Sequence, residues 1–190
     1  MATTLSWMIA ATSFKMDRPL ADLLQELLAA GFGSPIKYVW LRRQNKVAQA
    51  VSFYRAEHTN VWQAFNGAKP KNIDIDQELE FDFDEIHRIY TDLEVNDWKW
   101  KVYFRMNKIQ PLMLFYEEFT QNYEVTIRGV LKFLGQLYED APVAPPALER
   151  QANARSKDWE ERYRTMAQER GVGAMESRPG GETAVMESRR

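Results

Sequence analysis

Two arginines close an apolar run, and a helical pattern starts two residues later; this is the part of the sequence best suited to chemistry. The segment is VWLRRQNKVAQAVSFYRA, residues 39–56. In folds built on parallel sheets, ligands bind beyond the C-terminal ends of the strands. A helix that begins there adds unpaired N–H groups and a partial positive charge. Arg43 supplies a planar fork suited to phosphate. Ser52, about two helical turns further on, can donate a hydroxyl. Together these groups read as a phosphate cradle. The plainer alternative is a surface arginine pair at a strand end followed by an ordinary helix serine. The residues alone favour that alternative, because isolated motifs often arise by chance.

Other reactive side chains give weaker signals. His58 and His87 are the two histidines, and neither has metal-ligand spacing around it. No metal site is therefore expected. His58 falls near Trp62, where an aromatic face can stack on a sugar ring, but a surface or packing role is the safer reading for both. His87 is expected to face solvent. Glu117 and Glu118 follow a strand and are read as orienting the next turn or pairing with a basic neighbour, not as a general base. Arg150 and Arg155 lie in the charged stretch 149–164, where a solvated helix face competes with phosphate binding. Trp40, Trp62, Trp98, Trp100 and Trp159 are assigned to the core by default.

The elements that must position these groups can be read from periodicity. Residues 7–14 and 36–41 read as strands, and 112–116 as a further buried strand. Leu20, Leu23, Leu24, Leu27 and Leu28 line one helix face over 20–30, stopped by GFGSP at 31–35. Asn45 can cap a helix over 46–63 that packs through Val47, Ala50, Val51 and Tyr54. Residues 64–80 read as a polar surface loop. Asp82 or Asp84 can cap a long helix with Ile86, Ile89, Tyr90, Leu93, Trp100 and Phe104 buried. A helix over 122–135 turns Val130, Leu131 and Leu134 inward and stops at Gly135. The proline-rich stretch 142–146 is a linker, followed by a final helix over about 147–169. Residues 171–190 are Gly-rich and polar and read as a disordered tail after a domain over 1–170. Strands alternating with helices predict an α/β layer fold with a mostly parallel sheet.

Composition sets the bounds. Apolar residues make up 45% and aromatics 13%, which is globular rather than disordered. A net charge of −2 gives no reason to expect bulk nucleic-acid binding. There is no cysteine, which excludes disulfides, thiolate metal sites and a cysteine nucleophile and fits a cytoplasmic location. The apolar N-terminus lacks a basic region and is interrupted by Lys15 and Asp17, so it is not read as a signal peptide. No run approaches the ~20 apolar residues of a membrane span.

Val47-Ala48-Gln49-Ala50-Val51-Ser52, then Arg55-Ala56 and Val61-Trp62, resembles the V-A-Q-A-V-S-x-x-R-A…V-W segment of the bacterial trehalose 2-sulfotransferase family. FKM at 14–16 is similar to that family's G-x-K-M segment. IQPLMLFYEEF at 109–119 and VLKFLG at 130–135 resemble its I-x-P-x-x-x-x-Y-E-D/E-L and x-L-x-F-L-G pair. LERQANARSKDWEERYR at 148–164 resembles its R-Q-A-D-x-x-S-x-x-W-x-x-R-Y. The pieces occur in the same order over roughly residues 8–165. Two features depart from the pattern. The Ser/Gly-rich loop that holds the donor's 5′-phosphosulfate in such enzymes has no counterpart here. Asp17 stands where the family usually has an aromatic.

The resemblance implies a three-layer P-loop nucleotide-kinase-like sulfotransferase fold lacking its first strand–loop–helix unit. It implies transfer of a sulfuryl group from 3′-phosphoadenosine 5′-phosphosulfate (PAPS) to a hydroxyl of a carbohydrate or glycolipid. Arg43 and Ser52 would bind the donor's 3′-phosphate, with Arg150 or Arg155 brought over it. Lys15 would stabilise the leaving phosphate, and Trp62 and His58 would border the acceptor. Members of the family pair, so a homodimer is possible. The alternative is an inactive truncated remnant that binds nucleotide or a partner without turnover.

Overall fold

The computed structural model of the chain describes residues 9–11, 37–60, 62, 78–136, 142–146 and 154–172. Strands β1 (Ile9–Ala11), β2 (Val39–Arg42) and β3 (Leu112–Phe115) form a sheet in the order β1–β2–β3, parallel at both pairings. Ile9 lies level with Val39, and Arg42 with Phe115. Parallel neighbours need a long crossover. Between β2 and β3 the chain makes it through helices α1 (Lys46–Thr59) and α2 (Phe83–Met106). After β3 come α3 (Tyr116–Gln121), α4 (Tyr123–Leu134) and α5 (Ala154–Glu169).

The helix boundaries follow from local chemistry. Asn45 caps α1 by accepting from the Ala48 N–H at 2.9 Å. The helix ends four residues before 63 because Asn60 takes a left-handed conformation at φ 54°, which asparagine tolerates. Asp82 caps α2 by accepting from the Glu85 N–H at 3.0 Å, and Asp84 and Glu85 complement the positive helix end. Gly135 at φ 78° closes α4, as its position after Leu134 predicts. Gly171 at φ 64° closes α5, with the Val172 N–H donating to the Ala167 carbonyl at 3.0 Å.

Helix α1 packs between α2 and α5. The shared core joins Val47, Ala50, Val51 and Tyr54 to Phe83, Ile86, Ile89, Tyr90 and Leu93 and to Trp159, Tyr163 and Ala167. A second cluster, Trp40, Trp100 and Phe104, seats α2 on β2. A buried Val, Ile, Leu or Phe of these clusters contributes about 1.5–3 kcal/mol by leaving water. The buried stripe expected on α2 is present in full, with Asp97 added inside it.

Several expectations are corrected. Trp98 is not core: it is 63% exposed, on the far side of α2 with Val95 and Met106. It stands two residues from buried Trp100, which at ~100° per residue puts it on the opposite face. His87 is half-buried rather than solvent-facing, stacked on Phe83 with Nδ1 2.7 Å from the Tyr163 hydroxyl. Strand β3 is only partly buried, since it pairs with β2 alone among the described residues and Met113 is exposed. Tyr116 starts α3 instead of extending the strand. Val130, Leu131 and Leu134 are half-buried. The leucine helix at 20–30, the GFGSP turn, Lys15, Arg150 and residues 173–190 lie outside the described residues.

Candidate functional site

Strand β2 ends level with β3, and the next residue of each chain leaves the sheet at the same height. Consecutive side chains of an extended segment point to opposite faces. Arg42 and Arg43 therefore part company, and their contacts record it.

Arg42 turns onto α2. Its Nε and Nη2 donate to Asp97 Oδ2 at 3.2 and 2.9 Å, and its guanidinium lies 4.5 Å from the Trp40 ring centre. Lys46, the first residue of α1, brings its ammonium to 2.9 Å from the same oxygen. Asp97 and Lys46 are both buried, so one carboxylate anchors the strand end and the helix start together. Glu94, one turn before Asp97, is half-buried beside this cluster. Loss of hydration pushes its carboxyl above the usual range, Lys46 pulls it down, and Asp97 pushes it up again.

Arg42 also touches β3 through Met113 and Phe115, whereas Arg43 turns onto the first residues of α3. Its guanidinium lies 4.8 Å from the Tyr116 ring centre, and its Nε is 3.9 Å from Glu117 Oε1. That distance is an ion pair and not a hydrogen bond. The terminal nitrogens of Arg43 have no hydrogen-bond partner among the described residues. Glu117 reaches further: Oε2 accepts from the Gln44 N–H at 3.0 Å and Oε1 from the Asn45 N–H at 3.2 Å. Glu117 thus pairs with a basic neighbour, as expected, and also occupies two N–H groups of the turn. Asn45 takes the Ala48 N–H. The start of α1 therefore offers fewer free donors than its sequence suggests, and among the described residues the Arg43 fork is the cationic group of the turn left unpaired.

Asn45 also joins α5 to the turn. Its Oδ1 accepts from Arg164 Nη2 at 3.0 Å, and its Nδ2 donates to Glu160 Oε2 at 3.0 Å. Arg164 is the arginine of α5 that the structure brings to this turn; Arg155 lies elsewhere. The Arg155 guanidinium donates to the Leu79 carbonyl and lies 4.8 Å from the Trp159 ring centre. Arg164 and Glu160 could have been found as a pair four apart flanking the buried Trp159 and Tyr163.

Ser52 is exposed on the face of α1 in line with Asn45, seven residues and about 10 Å along the axis. His58 and Trp62 lie at the other end of the helix. His58 Nδ1 is 2.9 Å from the Tyr54 carbonyl oxygen, and Trp62, expected in the core, is instead 53% exposed, with its ring centre 5.1 Å from that of Phe53. Asn45 and His58 are thirteen residues apart, about 20 Å of helix. The cationic turn and the aromatic end are thus two separate features of α1. Among the described residues no three metal-ligating side chains gather, and no helix is long and apolar enough to cross a membrane.

Comparison with known proteins identifies the family. The family model described as Stf0 sulphotransferase matches residues 10–166. A protein named trehalose 2-sulfotransferase from Mycolicibacterium smegmatis is 35% identical over 157 residues, covering 82% of this chain and 55% of that protein. A protein of the same name from Mycobacterium tuberculosis is 33% identical over 152 residues, covering 80% and 54% respectively. The chain spans about half the length of the curated relatives it matches.

Proposed function

The chain belongs to the Stf0 sulphotransferase family, and from that premise we propose that it takes part in moving a sulfuryl group from PAPS to a hydroxyl of a carbohydrate. In this reading the sugar oxygen attacks sulfur, the bond from sulfur to the 5′-phosphate oxygen breaks, and adenosine 3′,5′-bisphosphate leaves. The reaction depends on position and charge stabilisation. The observation that carries the reading is the Arg43 fork, held just beyond the end of β2 with its terminal nitrogens unpaired among the described residues. It is assigned to the donor's 3′-phosphate, with Ser52 on the adjoining helix face. Lys15 is assigned to the leaving phosphate. Trp62 and His58, at the other end of α1, are assigned to the acceptor, for which trehalose is the first candidate from the names of the relatives. The P-loop class of fold is part of the same proposal.

Calorimetry with adenosine 3′,5′-bisphosphate tests the donor assignment. Arg43→Ala is expected to weaken binding by about 1.5–3 kcal/mol, the range for a charged hydrogen bond. Unchanged affinity would move the phosphate contact elsewhere. Incubation with PAPS and trehalose, followed by mass spectrometry, tests turnover. The sequence has no Ser/Gly-rich loop after a strand, which favours a second reading: a nucleotide-binding module without turnover. Binding of the bisphosphate with no sulfated sugar formed would select that reading.

A further inference from the structure

The Glu117 carboxylate does three things at one place. It accepts the N–H groups of Gln44 and Asn45, and it lies 3.9 Å from Arg43 Nε. The preceding residue, Tyr116, presents its ring to the Arg43 guanidinium. Every residue of the turn between β2 and α1 is thereby tied to the dipeptide that follows β3, more than seventy positions away in sequence. The tie is possible because Arg42 and Phe115 lie level across the sheet, so the turn and the dipeptide emerge side by side.

A carboxylate beside an anion-binding arginine is at first sight unfavourable, since it repels the anion. Its geometry removes much of that objection. Both oxygens are engaged by N–H donors, and the arginine is addressed through Nε alone. Among the described residues the two terminal nitrogens stay unpaired, and the fork is approached through Nε. Without Glu117 two backbone N–H groups would lose their partners, and the turn would relax toward other conformations. Arg43 would then keep its charge but lose its direction.

We propose that Glu117 is a positioning residue for the donor's 3′-phosphate: it acts through Arg43 and the 43–45 turn and does not itself touch the nucleotide. The proposal rests on the assignment of Arg43 made above. It predicts a loss of positional discrimination, which general weakening of the fold would not produce.

The test compares binding of adenosine 3′,5′-bisphosphate with that of adenosine 2′,5′-bisphosphate, which carries the same charges with one phosphate displaced. The native chain is expected to prefer the 3′ isomer. Glu117→Ala is expected to reduce that preference at least about tenfold, the equivalent of one charged hydrogen bond. Glu117→Gln keeps the size and one acceptor oxygen, and should retain part of the preference; it also serves if the alanine variant does not fold. A preference lost in Arg43→Ala but unchanged in both Glu117 variants would overturn this inference and leave the Arg43 assignment standing. A native chain with no preference between the isomers would overturn both.

Discussion

The Lys46 ammonium lies 2.9 Å from Asp97 Oδ2, and each side chain is only 5% exposed. With Arg42 on the same oxygen, one buried acid faces two cations. Taking one partner from such a group leaves charge in a poorly hydrated place, which costs more than the intact cluster stabilises. Asp97→Asn is therefore expected to lower unfolding free energy by about 3 kcal/mol, read from the urea midpoint. Lys46→Met should cost less, because Asp97 keeps Arg42. Equal losses in the two variants would contradict the shared-anchor account.

Asn45 is a second anchor of the turn. Asn45→Ala removes the acceptor for the Ala48 N–H together with the contacts to Glu160 and Arg164. The expected loss is about 1–2 kcal/mol. Asn45→Ser should recover most of the cap but none of the reach to α5. Denaturant unfolding of the two variants separates these contributions.

Glu94 gives a pH dependence whose sign is fixed. Burial raises its carboxyl above the usual range in the folded protein. Between the ordinary carboxylate range and that raised value the folded state binds more protons than the unfolded one, so stability falls as pH rises through this window. Below the ordinary range both states are protonated and the penalty vanishes. Glu94→Gln is expected to raise the melting temperature at pH 7 by about 1–3 °C and to leave it unchanged near pH 4. A gain of equal size at both pH values would refute the burial account.

Two tryptophans should respond in opposite ways. Trp100 is 1% exposed and holds α2 to the sheet, so Trp100→Ala should cost about 3–5 kcal/mol. Trp62 is exposed, and Trp62→Ala should change stability by no more than about 0.5 kcal/mol. If Trp62 borders the sugar, its removal raises KM for the acceptor and leaves bisphosphate affinity alone.

Much of the frame was legible in the residues. The α2 stripe, the caps at Asn45 and Asp82 and the stop at Gly135 were readable because each depends on local periodicity or a single backbone conformation. The Arg43 and Ser52 positions came from one contiguous segment. What escaped notice depends on residues far apart in the chain. Asp97 sits at a position in the α2 stripe that the apolar pattern skips, and an acid there implies a buried cation, but not which one. Glu117 meeting the 44–45 backbone depends on the strand register, which no single segment contains. Arg155 and Arg164 have the same chemistry and lie on the same helix. Only the packing of α5 on α1 decides which of them arrives at the turn. Trp98 faces solvent because helical phase, not residue type, decides which face of α2 it occupies.

The double grip of Asn45 on Glu160 and Arg164 makes α5 a latch on the crossover between β2 and β3. When α5 lifts, the asparagine loses both distant partners at once, and the first turn of α1 is free to fray. Opening motions at these two places, over a hundred residues apart along the chain, are then a single event, and the Ala48 amide proton should exchange with solvent no faster than α5 undocks.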